Sequence, residues 1–171
     1  MTRLTEGRLA HVFPAGWIAW KCDDASYYRN HFQSFAGGAK SVDFAAVGPE
    51  NDPALWLIEL KDYRAAPRTK PSDLFDELAL KVRDTLACLL ATASNSGMHP
   101  EVDQARAACK AGRVHVVFHL EQPRTPSKLF PQVVDPKDVK DKLKQKLRAV
   151  DPHPVWGNSA ELGRKVAWVT V

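Results

Sequence analysis

The chain has 171 residues, of which 44% are hydrophobic and 26% charged, a balance that fits a globular protein rather than a disordered chain and suits one domain over residues 1–171. No run approaches the roughly 20 apolar residues of a bilayer span, so no helical membrane anchor is expected. A formal net charge of +4 leans toward a polyanionic partner such as nucleic acid and away from a membrane core.

The opening "MTRLTEGRLAHVFPAGW" lacks the basic, apolar and small-residue succession of a secretion signal, and the expected location is the cytoplasm. Residues 17–22 read either as a strand or as a buried irregular segment. A helix is expected from about Asp24, with Asp23 or Asp24 as its cap and Gly37 and Gly38 at its end. Two strands follow, 40–47 and 55–62, around the turn-forming "GPENDP" of residues 48–53. The longest helix follows Ser72 as cap. Asp73, Asp76 and Glu77 suit its dipole, Leu74, Leu78, Val82, Leu86 and Leu89 form its stripe, and Gly97 stops it. Lys81 and Arg83 lie off that stripe and face either a site or water.

A shorter helix over about 101–111 ends at Gly112, and "RVHVVFHLE" is a strand. His115 and His119 share one of its faces and read as core or half-exposed polar groups. After a proline-rich loop, residues 135–149 form a basic amphipathic helix with Val139, Leu143, Leu147 and Val150 on one side. Its six bases, Lys137, Lys140, Lys142, Lys144, Lys146 and Arg148, suit either phosphate binding or simple solubility. "RKVAWVTV" closes the chain as a strand. Trp56 and Trp168 belong to the core. Cys22, Cys88 and Cys109 are odd in number and lack paired spacing, so they read as small buried hydrophobes. The element order indicates an α/β or α+β fold, a central mixed sheet with an acidic β-hairpin flanked by helices.

The hairpin raises a chemical question, because Asp43, Glu59 and Lys61 interrupt apolar runs. Alternation puts Glu59 and Lys61 on one face, with Trp56, Ile58 and Leu60 on the other. Pairing Val47 with Leu55 sets Asp43 opposite Glu59, where opposed Cβ atoms lie roughly 4.5–5.5 Å apart. Carboxylates that close repel unless a divalent cation lies between them, so a hard ion bound by Asp43 and Glu59 is expected. Lys61 is positioned to aid an activated water or meet a developing anion. The bland alternative is an ion pair on a solvated sheet edge.

These residues, "VD" at 42–43 and "IELK" at 58–61, resemble the PD-(D/E)XK phosphodiesterase superfamily, with Val42 in place of the proline. The resemblance spans roughly residues 24–120. It implies a restriction-endonuclease-like fold and DNA phosphodiester hydrolysis with Mg2+ or Mn2+ as cofactor. Asp43 and Glu59 would be metal ligands, Lys61 would complete the catalytic trio, and Asp23 or Asp24 would be an extra ligand. The alternative is an inactive nuclease-like module that binds nucleic acid or a protein. Arg64, Arg68 and Lys70 follow the second strand as substrate-binding candidates. DNA is the expected partner, and a homodimer is allowed.

Overall fold

The computed structural model describes residues 1–51, 53–97 and 99–171. The strand β5, Ala54–Asp62, opens with an unbroken apolar run from Ala54 to Ile58, the signature of a strand covered on both faces, before Glu59, Lys61 and Asp62 bring in charge. It lies at the centre of a five-stranded sheet of order β3-β4-β5-β6-β7, built with β3 (Ile18–Lys21), β4 (Phe44–Val47), β6 (Arg113–Glu121) and β7 (Val155–Gly157). β3, β4 and β5 pair antiparallel, whereas β5, β6 and β7 are parallel. This mixed sheet with its helices is the α/β (α+β) architecture expected. The predicted hairpin register also holds, with Val47 paired to Leu55 and Phe44 to Ile58.

One face of the sheet carries α1 (Leu74–Asn95), α2 (His99–Lys110) and α3 (Pro136–Leu147). Leu57, Phe118 and Leu120 pack there against Leu78, Val82 and Leu143. The other face packs Ile58, Leu60 and Val117 on a second, three-stranded sheet and the short helix α4 (Ser159–Leu162). That sheet has the order β1-β2-β8, from Thr2–Glu6, Leu9–Phe13 and Val169–Thr170. Its hairpin turns at Gly7-Arg8, where Gly7 has φ +55, the conformation that a two-residue turn with glycine first demands. Each fully buried Leu, Ile or Phe contributes roughly 1.5–3 kcal/mol, so two-sided burial makes β5 and β6 a large part of the core's contribution to stability.

Several local expectations change for physical reasons. β4 starts at Phe44 rather than residue 40, because α1 takes the preceding amides: Lys40 N donates to Asp84 Oδ2 (3.0 Å) and Val42 N to Thr85 Oγ1 (2.9 Å). The cap of α1 is Asp73 rather than Ser72, its carboxylate accepting from Phe75 N and Asp76 N. The region expected as one helix from Asp24 is a π-helical turn, Tyr28–Phe32, and a 3-10 turn, Phe35–Gly37. Neither Asp23 nor Asp24 caps it. Glu101 of α2 does so, accepting from Ser26 N (2.5 Å) and Tyr27 N (3.0 Å). Glu101→Ala is therefore expected to lower stability by about 1–2 kcal/mol in thermal unfolding, the worth of a lost cap.

The closing strand shrinks to Val169–Thr170, since Lys165 N and Val166 N turn back onto Leu162 O. Cys22 and Cys88 are buried as expected, but Cys109 is exposed. The turn reading of residues 48–53 includes residue 52, which lies outside the described residues.

Between the sheets runs a buried polar chain. The Trp168 indole Nε1 donates to His11 Nδ1 (2.9 Å), His11 Nε2 meets His119 Nδ1 (2.9 Å), and His119 Nε2 lies 3.1 Å from Ser159 Oγ. An indole nitrogen only donates, so neutral His11 carries its proton on Nε2 and donates to His119 Nδ1. His119 then donates from Nε2 toward Ser159 and toward Glu121 Oε1 (3.3 Å), and Ser159 Oγ donates to Glu121 (2.9 Å). This direction gives His119 no free lone pair for Ser159. The serine is held as a structural link, not readied as a nucleophile.

Candidate charged centre on the hairpin

β5 and the residue preceding β4 bring Asp43 and Glu59 together on the face covered by α1. Leu60 N donates to Asp43 Oδ2 (2.6 Å), tying the aspartate to the neighbouring strand. Lys61 Nζ donates to Glu59 Oε1 and to the Leu60 carbonyl (3.3 Å). Lys81 descends from α1, with Nζ 2.7 and 2.9 Å from the two Glu59 oxygens and 3.6 Å from Asp43 Oδ1. The Glu59 carboxylate is thus held by two ammonium groups. As a residue it is 1% exposed on the central strand, so the reading of a solvated edge pair is set aside.

The expected sharing of a face by Asp43, Glu59 and Lys61 is found, but the premise that only a divalent ion relieves their repulsion needs correction. The Lys81 ammonium lies between the carboxylates and supplies the positive charge. Burial, then the neighbouring Glu59 charge, pushes the Asp43 carboxyl up to about 6 against the pull of both lysines. Burial favours loss of the Lys81 proton, yet Glu59 and Asp43 more than offset this and raise its pKa. An oxygen-rich pair of this kind suits Mg2+ or Mn2+ in donor chemistry, while the space between the oxygens is taken by Nζ. Among the described residues no cluster of three or more His, Cys, Asp or Glu comes together around a cation-sized space.

Of the substrate-binding candidates, Arg64 turns to the opposite side. It holds Asp62 in a two-point contact (2.9 and 2.7 Å) and approaches Glu121 at 3.6 Å, because its own amide donates to Asp62 Oδ1 and fixes the turn there. Arg68 and Lys70 fold back onto Glu77 of α1, at 3.1 and 3.0 Å. Burial alone would raise the Glu77 pKa, but these two cations lower it to about 2. Glu77 and Lys81 lie one helical turn apart, so the pairs form one string of alternating charge along α1. The other acids suggested as extra ligands, Asp23 and Asp24, are exposed, with Asp24 paired to Arg29.

From the sequence, Lys81 reads as facing either a site or water, and Glu77 as suiting only the helix dipole. The legible signal was their i, i+4 spacing at the border of the apolar stripe of α1. Arg83 faces outward and pairs with Asp84.

Comparison with known proteins gives one informative result. The chain is 30% identical over 175 aligned residues to a cysteine–tRNA ligase from Neisseria meningitidis serogroup A / serotype 4A (strain DSM 15465 / Z2491), an alignment covering 84% of this chain and 25% of that protein. This chain therefore spans about a quarter of the length of that relative. No family model and no solved structure matches. The expectation of a DNA nuclease, or of its inactive nuclease-like counterpart, is overturned by this finding: the similarity runs to a protein named for tRNA ligation, not to one acting on DNA.

Proposed function

We propose that this chain serves tRNA aminoacylation as a unit that takes hold of tRNA, with Asp43, Glu59, Lys61 and Lys81 as the place where an RNA phosphate is met. The observation that carries this reading is the similarity of 84% of the chain to a quarter of a cysteine–tRNA ligase. The β5–α1 connection, residues 63–73, contains no glycine, unlike the glycine-rich turns that cradle nucleotide phosphates. That favours a role in holding RNA over nucleotide-driven bond formation. The work belongs in the cytoplasm, where tRNA is charged.

Within this reading, Lys61 is the more open of the two ammonium groups, with 20% of its side chain exposed against 14% for Lys81, and is the first to meet an incoming phosphate. Arg68 and Lys70 stand one helical turn away on Glu77 and can exchange that carboxylate for RNA phosphates. The hairpin, α1 and parallel β6 supply a restriction-endonuclease-like frame, a likeness supported by the antiparallel β4–β5 and parallel β5–β6 pairings. A divalent ion, Mg2+ or Mn2+, would be held by Asp43 and Glu59 and would add positive charge beside the phosphate, but it competes with Lys81 for the same oxygens.

The test is binding of purified cysteine tRNA against duplex DNA of equal length, together with charging kinetics of a cysteine–tRNA ligase with the chain added. We expect tRNA to bind about tenfold more tightly than DNA, a difference near 1.4 kcal/mol. Lys61→Gln should weaken tRNA binding severalfold, and the added chain should lower the apparent KM for tRNA. Equal affinity for both nucleic acids with no change in charging would overturn the reading.

A further inference from the structure

The six bases of the α3 region divide into two sets. Lys142 and Lys146 point back to α1: the Lys142 ammonium lies 5.7 Å from the Phe75 ring centre, and Lys146 pairs with Asp76 at 2.5 Å. Val139, Leu143 and Leu147 are buried between these lysines and the other flank of the helix. On that other flank, Lys137, Lys140, Lys144 and Arg148 follow one another at steps of three, four and four residues, the spacing of a single helical stripe. Arg148 is the C-cap but keeps helical dihedrals (φ −53, ψ −25), so the stripe continues through it.

All four are exposed, and none has an ion-pair partner among the described residues. At about 1.5 Å of rise per residue the stripe is roughly 16 Å long, with charges about 5–6 Å apart. Asp141 borders it and offsets one charge. Lysines that only keep a helix soluble need no such division, whereas cations aligned along one flank match successive phosphates of a strand.

We propose that Lys137, Lys140, Lys144 and Arg148 form a linear grip for the phosphate backbone of tRNA, while Lys142 and Lys146 dock α3 on α1. This rests on the tRNA reading above and adds to it a surface distinct from the Asp43–Glu59 cluster. Neutralising one phosphate changes the slope of log affinity against log salt by roughly 0.7–0.9.

The experiment measures tRNA affinity from low to moderate salt for the full chain and for two variants, with circular dichroism and thermal unfolding as checks of folding. Replacing the four stripe bases together by glutamine is expected to flatten the salt slope by about 3 and to weaken low-salt binding tens of fold or more, with the melting temperature little changed. The Lys142→Gln/Lys146→Gln variant is expected to keep the slope and melt at a lower temperature. If the unaltered chain binds tRNA and the fourfold variant keeps its slope, the grip is refuted while the tRNA reading stands. If the unaltered chain binds no tRNA, the reading itself has failed and takes the grip with it.

Discussion

Lys81→Met is expected to destabilise the fold by about 3–5 kcal/mol near pH 7, the usual cost of removing one partner from a buried ionic cluster. Methionine keeps the apolar stem of lysine and ends one atom short of Nζ, so the loss reports chiefly the missing ammonium and leaves its position open. Without the ammonium, Asp43 and Glu59 face each other with Lys61 alone to balance them. Two rescues follow from that physics. Mg2+ at millimolar levels should restore part of the lost stability, because an ion can then occupy the position that Nζ holds 2.7 to 3.6 Å from the carboxylate oxygens. The double variant Lys81→Met/Glu59→Leu should be markedly more stable than Lys81→Met, since replacing both partners by apolar groups removes the uncompensated charge.

Acidification supplies a third readout. Asp43 titrates near 6 in the folded chain, above the ordinary 3.8. A folded-state value above the unfolded one means that this carboxyl loses stability as pH rises from about 4 to 6 and returns it as pH falls. Removing Lys81 raises Asp43 further, so the gap between variant and parent should narrow at pH 5. Urea unfolding at pH 7 and pH 5, with and without Mg2+, decides the matter. A variant as stable as its parent at pH 7, or one indifferent to both pH and the ion, would show that the ammonium does not hold the carboxylates.

His11→Leu should cost about 2–5 kcal/mol, because it leaves the Trp168 N–H and His119 Nδ1 without partners inside the protein. The pH dependence is as telling as the loss. Burial first, and then the neighbouring His119, lowers the His11 pKa from 6.5 to about 3, and burial lowers that of His119 as well. Such a group stabilises the fold fully above pH 6.5, and the contribution declines as pH falls from 6.5 toward 3, by up to about 1.4 kcal/mol per pH unit. Asp43 works in the opposite sense over part of that window. Comparing the parent with His11→Leu isolates the histidine: the parent should lose stability faster between pH 6 and 4 than the variant. Parallel stability curves for the two proteins would refute the one-way donor chain.

Much of the fold was legible because its signals are local. The apolar run of β5, the turn formers after β4 and the stripe of α1 set the elements, and alternation along two antiparallel strands was enough to set Asp43 against Glu59. The same reasoning passed over the hairpin of β1 and β2, although Gly7-Arg8 between two short alternating stretches is a turn signal. It also extended β4 and β8 too far. The reason is competition: the amides of Lys40 and Val42 bond to α1 side chains and those of Lys165 and Val166 to α4, which strand propensity does not register.

The amino-acid sequence alone determined which carboxylates and which lysine of the hairpin share a face, since pairing register and a two-residue period follow from residues close in the chain. Only the tertiary structure decided what neutralises them, which acid caps the turn at residues 26–28, and how His11 reaches His119 across 108 positions. Lys81, Glu101 and His11 all act at long range. Whether such a side chain meets a partner or water depends on how helices and a second sheet pack on the first, and that packing is a property of all the buried faces together.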